Sequence, residues 1–531
     1  MNNDIISIIA RYNNLDEKSK ISAMETLTKD PESIIFAYKS FDAALVRGAI
    51  DKSISLSTLI CALIKKKAQK ESLEAYLNAN SNSSLIKALS SSSPKLRKNA
   101  ARIMGALKDK KYASMLALTL EKETQLIIRP FIISALGSIG EENSIKILRS
   151  LYDSKNKVTT DKHELEELSA LKDALLKNET IPPLTFLGLK SKREIVLRTM
   201  PGFAFELKDQ LKELGEDAKT TSQNDQDVIL FSDDIQKLYS LRTFSDMYFI
   251  VGRKIPFTGK TVLSALEKFD IVSFLKETHG NDLEKMYYRI EIPGTKITQK
   301  QRSEYIRDIT SNINKLPLLQ DNPYNYQFEI LIEPFSRSCD VYLNLKTIKD
   351  DRFNYRLNTL PASINPYIAA IVAQYIKKYS SKDAKVLDPF CGTGTMLVER
   401  AKAAPYDSLY GVDIKQNAID FATENAKAAD IQINYIHSDI QKFVSNVTFN
   451  EIISNMPFGN RVGNHTANIQ IYEGFFGNIN HYLSKNAFLA LYTMEGTLLE
   501  SVADKNGFNI IEKHKMYAGG LRPTLYILKQ K

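Results

Sequence analysis

At 531 residues the chain is too long for a single hydrophobic core, and roughly three to four domains are expected. Hydrophobic residues make up 43% and charged residues 25%, with no long block of one sign, which excludes a disordered chain. The net charge of +9 divides as +6 over residues 1–180, 0 over 181–350 and +3 over 351–531, so a polyanionic partner is permitted without being demanded.

Read from its N-terminus, Met1-Asn2-Asn3-Asp4 lacks the basic flank of a secretion signal, and no run of about 18 apolar residues follows anywhere. Cys61, Cys339 and Cys391 are odd in number, without CxxC pairing or adjoining histidines. That pattern points to a reducing compartment and no structural zinc, so a cytoplasmic protein with no membrane partner is expected.

Residues 1 to about 175 hold almost no strand pattern; apolar residues recur three and four positions apart, as in amphipathic helices. Ser93-Pro94-Lys95-Leu96-Arg97-Lys98-Asn99-Ala100-Ala101-Arg102-Ile103-Met104-Gly105 is echoed by a run from Ile128-Arg129-Pro130 to Gly137, placing Gly105 and Gly137 32 positions apart. Small residues at matching points let helices approach closely, and a period in this range suits a stacked solenoid. The segment resembles HEAT-type repeats, with an irregular helical bundle as the alternative. Such repeats would extend an RNA track or dock a protein partner. Lys65-Lys66-Lys67 and Lys95-Leu96-Arg97-Lys98 are candidates for phosphate contacts and read equally well as solvated helix faces.

A charged helix over Val158–Asn178 is stopped by Ile181-Pro182-Pro183, the best domain boundary. Beyond it the pattern predicts strands at Glu194–Arg198, Val228–Phe231 and Met247–Val251, with helices at Phe203–Leu214 and Asp234–Leu241. The mixture repeats with helices over Val262–Lys276 and Lys300–Lys315 and strands at Met286–Ile292, Tyr326–Ile332 and Asp340–Leu345. A helix follows at Asn365–Tyr379.

From Lys385 strand and helix alternate. Strands are predicted at Val386–Asp388, Leu409–Asp413, Asn434–Ile436 and Glu451–Ser454, with helices at 395–403 and 415–429. This order implies a doubly wound parallel sheet with ligands at the carboxyl ends of its strands, where every notable polar residue falls. The loop Asp388-Pro389-Phe390-Cys391-Gly392-Thr393-Gly394 lets backbone pass close to a ligand. Asp388 can accept from an amino group, Asp413 can grip ribose hydroxyls, and Asp439 can accept from an adenine amino group. Those carboxylates suit an adenosine with a cationic tail, as in S-adenosylmethionine. A dinucleotide fits less well, because Met396 and Leu397 stand where a later glycine is wanted, and no Gly-Lys-Ser/Thr follows for Walker-type phosphate binding.

Asn455-Met456-Pro457-Phe458 ends the next strand, 67 residues beyond Asp388. The Asn455 side chain and the Met456 carbonyl can accept from an exocyclic amine, Pro457 stiffens the turn and Phe458 offers a face for a base. Cys391 reads as a packing residue, and His437, His465, His481 and His514 make no metal pattern.

Residues 355–531 thus look like a class I S-adenosylmethionine-dependent methyltransferase of the N/D-P-P-F/Y group, a Rossmann-like α/β fold. The resemblance implies that Asp388, Phe390, Cys391, Gly392 and Gly394 line the cofactor, that Asp413 binds its ribose with Ile414 also touching the cofactor, and that Asp439 and Ile440 flank its adenine. It assigns Asn455, Met456, Pro457 and Phe458 to amine methylation, with Asn455 also touching the cofactor. The usual second residue of that motif is proline, and here it is Met456. Gly459-Asn460-Arg461 is similar to the tail of the motif in RNA guanine-N2 methyltransferases, where Arg461 would hold phosphate or substrate.

Thr199-Met200-Pro201-Gly202-Phe203-Ala204-Phe205-Glu206-Leu207, Leu211-Lys212-Glu213-Leu214-Gly215 and Phe231-Ser232-Asp233-Asp234 are similar to the ferredoxin-like plus THUMP module that precedes the catalytic domain in that family. The expected architecture is multidomain: HEAT-like helical repeats over 1–180, an α+β region with its ferredoxin-like part over 185–252 and a THUMP-like RNA-binding part over 253–350, and the methyltransferase over 355–531. With no net charge over 181–350, an RNA face there depends on asymmetric placement of Lys254, Lys260, Arg302 and Arg307. The resemblance implies methylation of guanine N2 in RNA, with transfer RNA ahead of ribosomal RNA. DNA adenine-N6 or protein glutamine-N5 methylation and a non-catalytic scaffold remain as alternatives.

Overall fold

The computed structural model describes residues 3–12, 15–80, 83–155, 157–220, 225–294, 297–458, 465–517 and 519–531. Two compact units divide the chain: one is residues 1–183 with 287–289 and 321–326, the other 184–286, 290–320 and 327–531.

Up to Lys177 the described residues form helices joined by short connections. The order is α1 (Asn3–Arg11), α2 (Glu17–Lys29), α3 (Ser33–Val46), α4 (Ile50–Leu63), α5 (Lys67–Ala79), α6 (Ser84–Leu89), α7 (Pro94–Leu107), α8 (Ala113–Lys122), α9 (Arg129–Ile139), α10 (Glu142–Ser154) and α11 (Lys162–Lys177). Asp16, Glu141 and Asp161 cap α2, α10 and α11 by accepting from first-turn N–H groups. Pro94 and Pro130 sit in first turns, where a missing N–H costs nothing. Helices α3, α4, α7, α9 and α11 pack each against the next.

The echo between Gly105 and Gly137 is a packing repeat. A Cβ at Gly105 would lie 2.8 Å from the Ala135 Cα, and one at Gly137 would lie 2.8 Å from the Ala174 Cα. A second element of the repeat went unread in the sequence. Arg97 and Arg129, also 32 positions apart, each pair with a buried carboxylate: Arg97 Nε to Glu123 at 2.7 Å and Arg129 Nε to Glu167 at 2.8 Å. Each also donates to carbonyls of the segment before its own helix, those of Ser91 and Ser92 and those of Leu120 and Glu123. Overfilling one contact tests the stack: Gly137→Ala is expected to cost about 1–3 kcal/mol, seen as a lowered Tm in thermal melts.

The middle region forms one eight-stranded sheet in the order β2-β3-β1-β4-β8-β7-β5-β6, of which β2, β3, β1, β4, β8 and β7 lie wholly within the second unit. Its strands are β1 (Arg193–Arg198), β2 (Ala218–Thr220), β3 (Asp227–Ser232), β4 (Asp246–Pro256), β5 (Met286–Glu291), β6 (Leu319–Asp321), β7 (Phe328–Phe335) and β8 (Ser338–Leu345). Helices α12 (Ala204–Glu213), α13 (Ile235–Leu238), α14 (Gly259–Phe269), α15 (Ile271–His279) and α16 (Gln299–Ile313) accompany them. Strand β4 crosses the expected division at 252/253 and pairs antiparallel with both β1 and β8. The helix expected over 262–276 is two, α14 and α15. Asp270 breaks it with φ +55°, a conformation aspartate tolerates, and its carboxylate accepts from the Ser273 N–H to start α15.

The last region is a seven-stranded sheet in the order β11-β10-β9-β12-β13-β15-β14. It comprises α17 (Pro366–Ile376), β9 (Lys385–Asp388), α18 (Thr395–Ala403), β10 (Ser408–Asp413), α19 (Gln416–Ala428), β11 (Asn434–His437), β12 (Phe449–Asn455), α20 (His465–Ile479), β13 (Leu483–Thr493), α21 (Gly496–Lys505), β14 (Phe508–Lys515) and β15 (Thr524–Gln530). Strands β9 to β13 pair in parallel, whereas β15 runs antiparallel between β13 and β14. The architecture is therefore a helical repeat region, a mixed α+β region and a Rossmann-like α/β region.

Two consecutive buried charges tie α18 to its surroundings. Glu399 accepts both Arg242 donors, at 2.7 and 2.8 Å, and the Tyr355 hydroxyl at 2.7 Å. Its neighbour Arg400, fully buried, forks onto Glu451 and donates to the Ala404 carbonyl at 2.8 Å. Met200 and Phe203, from the middle region, join the apolar cluster of α17, β9 and β13. Among the described residues no helix is long and apolar enough to cross a membrane.

Candidate active site

The parallel order brings the carboxyl ends of β9, β10, β11 and β12 to one side of the sheet, as the alternation of strand and helix implied. Asp388, at the end of β9, is 1% exposed. Its Oδ1 accepts from the Ser454 hydroxyl at 2.6 Å and the Phe390 N–H at 3.1 Å. Burial raises its pKa to about 7, against the downward pull of both hydrogen bonds. Ser454 precedes Asn455, so one hydrogen bond ties the end of β9 to the Asn455 turn.

Past Asp388 the chain turns tightly, with the Gly394 N–H donating to the Cys391 carbonyl at 2.8 Å. Gly392 and Gly394 take φ of +52° and +78°. They serve different ends. A Cβ at Gly392 would meet nothing within 4 Å, leaving its backbone open to a ligand, whereas one at Gly394 would collide with the Tyr435 hydroxyl and lie 3.3 Å from Ala422. The Gly392 N–H donates to Asp413 Oδ2 at 2.9 Å and the Lys415 N–H to Oδ1 at 2.9 Å. Asp413 is thereby fixed at the end of β10, with lone pairs left for two hydroxyls.

The remaining expected cofactor residues fall unevenly. Ile414 is 62% exposed beside Asp413, an apolar face at the open end of β10. Asp439 is half-buried after β11, and its Oδ1 accepts from the Gln441 N–H at 3.0 Å. Ile440 buries its side chain in the core with Phe443 and Phe449. Phe390 is half-buried, its ring edge-on to Phe475. Cys391 is buried, which drives its thiol pKa well up, and its sulfur fills the space beside Gly411.

The turn after β12 departs from its expected sequence in a way that compensates for itself. The Met456 side chain is 1% exposed in the apolar core, and its N–H donates to the Tyr492 carbonyl at 2.9 Å, a bond proline could not make. The Pro457 carbonyl accepts from the Tyr472 hydroxyl at 3.1 Å, and that hydroxyl also bonds Thr493 at 2.6 Å. Asn455 Nδ2 reaches the Ala362 carbonyl at 3.5 Å, while its Oδ1 is buried with no hydrogen-bond partner. An orphaned buried acceptor costs about 1–3 kcal/mol, which a ligand N–H would recover. Phe458 is half-buried with its ring edge-on to Tyr492, whose hydroxyl is likewise buried and unpartnered.

Tyr492, Ser454 and Tyr472 were not read from the sequence; Tyr492 ends an apolar run whose strand character was its one signal. Gly459, Asn460 and Arg461, with the tail expected of the motif, lie outside the described residues, as does the His465 side chain. His437 bonds the Ile414 carbonyl at 2.9 Å, and His514 sits against Tyr375 and Glu512. No group of three or more His, Cys, Asp or Glu among the described residues is placed to hold a metal ion.

An ordered set of strand-end carboxylates, an open glycine backbone and an unpartnered carbonyl beyond Asp388 suit a cationic adenosine beside an amine. Residues 353–524 match the RMKL-like methyltransferase domain. The matched segment runs from ahead of α17 to the first residue of β15 and takes in every site residue named above, while residues 82–164 match HEAT repeats. The chain is 26% identical over 220 residues to the tRNA (guanine(6)-N2)-methyltransferase of Methanocaldococcus jannaschii, covering 34% of this chain and 57% of that one. It is 25% identical over 176 residues to the enzyme of that name from Thermus thermophilus, covering 32% and 52%. The chain thus spans about half the length of the curated relatives it matches. The crystal structure of TrmN from Thermus thermophilus superposes with a TM-score of 0.51 at 19% identity, covering 64% of this chain and 99% of that one. That shared fold takes in more of the chain than the methyltransferase domain alone.

Proposed function

We propose that the chain is an S-adenosylmethionine-dependent methyltransferase that acts on the exocyclic N2 of guanine in transfer RNA. The observation that carries this reading is the buried, unpartnered Asn455 Oδ1, one residue beyond the Ser454–Asp388 hydrogen bond. Asp388 would hold the cofactor's amino end, Asp413 its ribose and Asp439 its adenine amino group, with Ile414 on an adenine face. Phe390, Cys391, Gly392 and Gly394 would shape the floor. When bound, the cofactor supplies an electrophilic methyl group on a sulfonium.

The amine nitrogen's lone pair is delocalised into the base, so the site must favour a pyramidal nitrogen aimed at that methyl. Asn455 Oδ1 and the Met456 carbonyl would each accept one N–H, and Phe458 would stack on the base. A neutral amide is too weak a base to take a proton, so the methylated nitrogen would shed its own after transfer, to water or a nearby acceptor. The names of both curated relatives support guanine in transfer RNA, and the coverage by TrmN supports a role for the middle sheet, residues 185–252 and 253–350, as the RNA-gripping module. Ribosomal RNA is the next substrate in line. The test is nucleoside mass spectrometry of both RNA pools from a deletion strain: loss of N2-methylguanosine from transfer RNA is expected, and an unchanged content in both pools overturns the reading.

A further inference from the structure

The helical repeats carry cations that no ion pair engages among the described residues. The two basic runs of this region are sorted by the fold. Arg97 is committed to Glu123, and Lys67 and Lys70 face Glu71 and Glu74 one turn on. Lys65, Lys95, Lys98 and Arg102 have no acidic partner among the described residues, and all four are at least partly exposed.

These four lie together on one face. Asn99 donates to the hydroxyls of Ser57 and Thr58 at 3.0 Å, and the Cys61 thiol reaches the Asn99 carbonyl at 3.6 Å, which sets α4 and α7 side by side. Lys95, Lys98 and Arg102 follow one another at three- and four-residue spacing along the outer face of α7, and Lys65 follows α4. Burial pushes the Cys61 thiol up to about 11, and the cations that pull it the other way are Arg102, Lys65 and Lys98. Lys98 Nζ sits 4.1 Å from the ring centroid of Phe131 on α9, a half-buried aromatic ring on the next helix of the stack. Between the charges lie small residues, Ala62 on α4 and Ala106 on α7, both partly exposed, and the exposed Ser134 on α9. Asp51, in the first turn of α4, is the nearest exposed acid in sequence on that helix.

We infer that this face of α4, α7 and α9 binds the phosphate backbone of RNA through Lys65, Lys98 and Arg102, with Phe131 giving a base a surface to stack on. Cations at turn spacing, separated by residues too small to hold a backbone away, suit an extended polyanion. The aromatic ring among them favours a nucleic acid over an acidic peptide, because bases have stacking faces and carboxylates do not. The inference rests on the RNA-directed reading above and assigns the repeats a second hold on the same class of molecule.

The test uses the full chain with two probes, total transfer RNA and a 30-nucleotide oligouridine, and follows binding by fluorescence anisotropy across salt concentrations. The triple variant Lys65→Gln, Lys98→Gln, Arg102→Gln removes surface charge alone and is expected to keep its Tm. It should bind both RNAs roughly tenfold more weakly, with the slope of log affinity against log salt reduced by about 2–3. Phe131→Leu, which keeps the packing, should weaken binding without changing that slope. S-adenosylmethionine binding by calorimetry, and methyl transfer at saturating RNA, should match wild type, which separates this surface from the catalytic site. Affinities and slopes within twofold of wild type overturn the inference, as does a variant that binds RNA normally but loses a polyglutamate peptide. If the wild type binds oligouridine through these residues yet methylates no transfer RNA, the surface stands and the substrate reading falls. A wild type that binds neither RNA overturns the surface, whatever its cofactor affinity.

Discussion

An Asn455→Ala protein is expected to bind S-adenosylmethionine within about tenfold of wild type, or ~1.4 kcal/mol, while methyl transfer falls by roughly 10²–10³. The separation follows from what Asn455 touches. Its Oδ1 has no partner in the folded protein, and its amide nitrogen has a single long contact to the Ala362 carbonyl, so truncation breaks little that holds the chain together. The Asp388 hydrogen bonds belong to Ser454 and Phe390 and survive the change. What is lost is the acceptor that would fix the amine in the geometry of transfer. Calorimetry with S-adenosylhomocysteine and single-turnover methylation at saturating RNA measure the two effects apart. Equal loss of both would recast Asn455 as a cofactor or folding residue.

Asp388→Asn is expected to divide stability from binding in the opposite sense. Burial holds the Asp388 carboxyl at about 7, so between roughly pH 4 and 7 the folded chain keeps a proton that the unfolded chain has released. The stability this confers is complete below the unfolded value and is lost as pH rises through 7, when a buried charge must form. Asparagine removes that penalty, and the cofactor-free variant should be more stable than wild type at pH 8 by up to about 4 kcal/mol, with no gain at pH 4. Denaturant melts at the two pH values read the difference. The same carboxylate would face the cofactor's positive charge, so the variant should bind S-adenosylmethionine ~10–100-fold more weakly at pH 8. Wild-type binding near pH 7 should release a proton that the variant does not release, seen by calorimetry in buffers of different ionisation enthalpy. Unchanged affinity at pH 8 would remove Asp388 from the cofactor site.

Much of the site was legible because it sits at strand ends, where period and punctuation change together. Asp388, Asp413 and Asn455 each close an apolar run and precede a turn, and the sheet order gathers them on one side. What stayed hidden depends on contacts between distant segments. Met456 stands where the motif usually has a proline. In the fold it is anchored twice over, by its buried side chain and by an N–H bond to Tyr492, while Tyr472 steadies the following carbonyl from 15 residues away. Ile440 is expected to flank the adenine with Asp439, and its side chain packs in the aromatic core of α20 and β12, a contact that left no mark in the sequence. The repeat was visible as paired glycines, but the arginines at the same period needed their acids, Glu123 and Glu167, which follow no common spacing. The single helix expected over 262–276 failed at one residue, because Asp270 accepts a left-handed backbone that few other side chains would.

The grip on Glu399 bears on how such a chain can be rearranged. The carboxylate is buried in the helix that follows the glycine loop, and its counter-charge, Arg242, belongs to the region ahead of the methyltransferase domain. A catalytic domain cut loose at residue 353 would keep Tyr355 but carry an uncompensated acid in its interior, a defect of about 3–5 kcal/mol. The domain is therefore not a portable cassette. Grafting it behind another RNA-binding module requires either an arginine delivered to the same spot or a neutral residue at 399, and a lineage that exchanged the preceding region would have had to change both positions together.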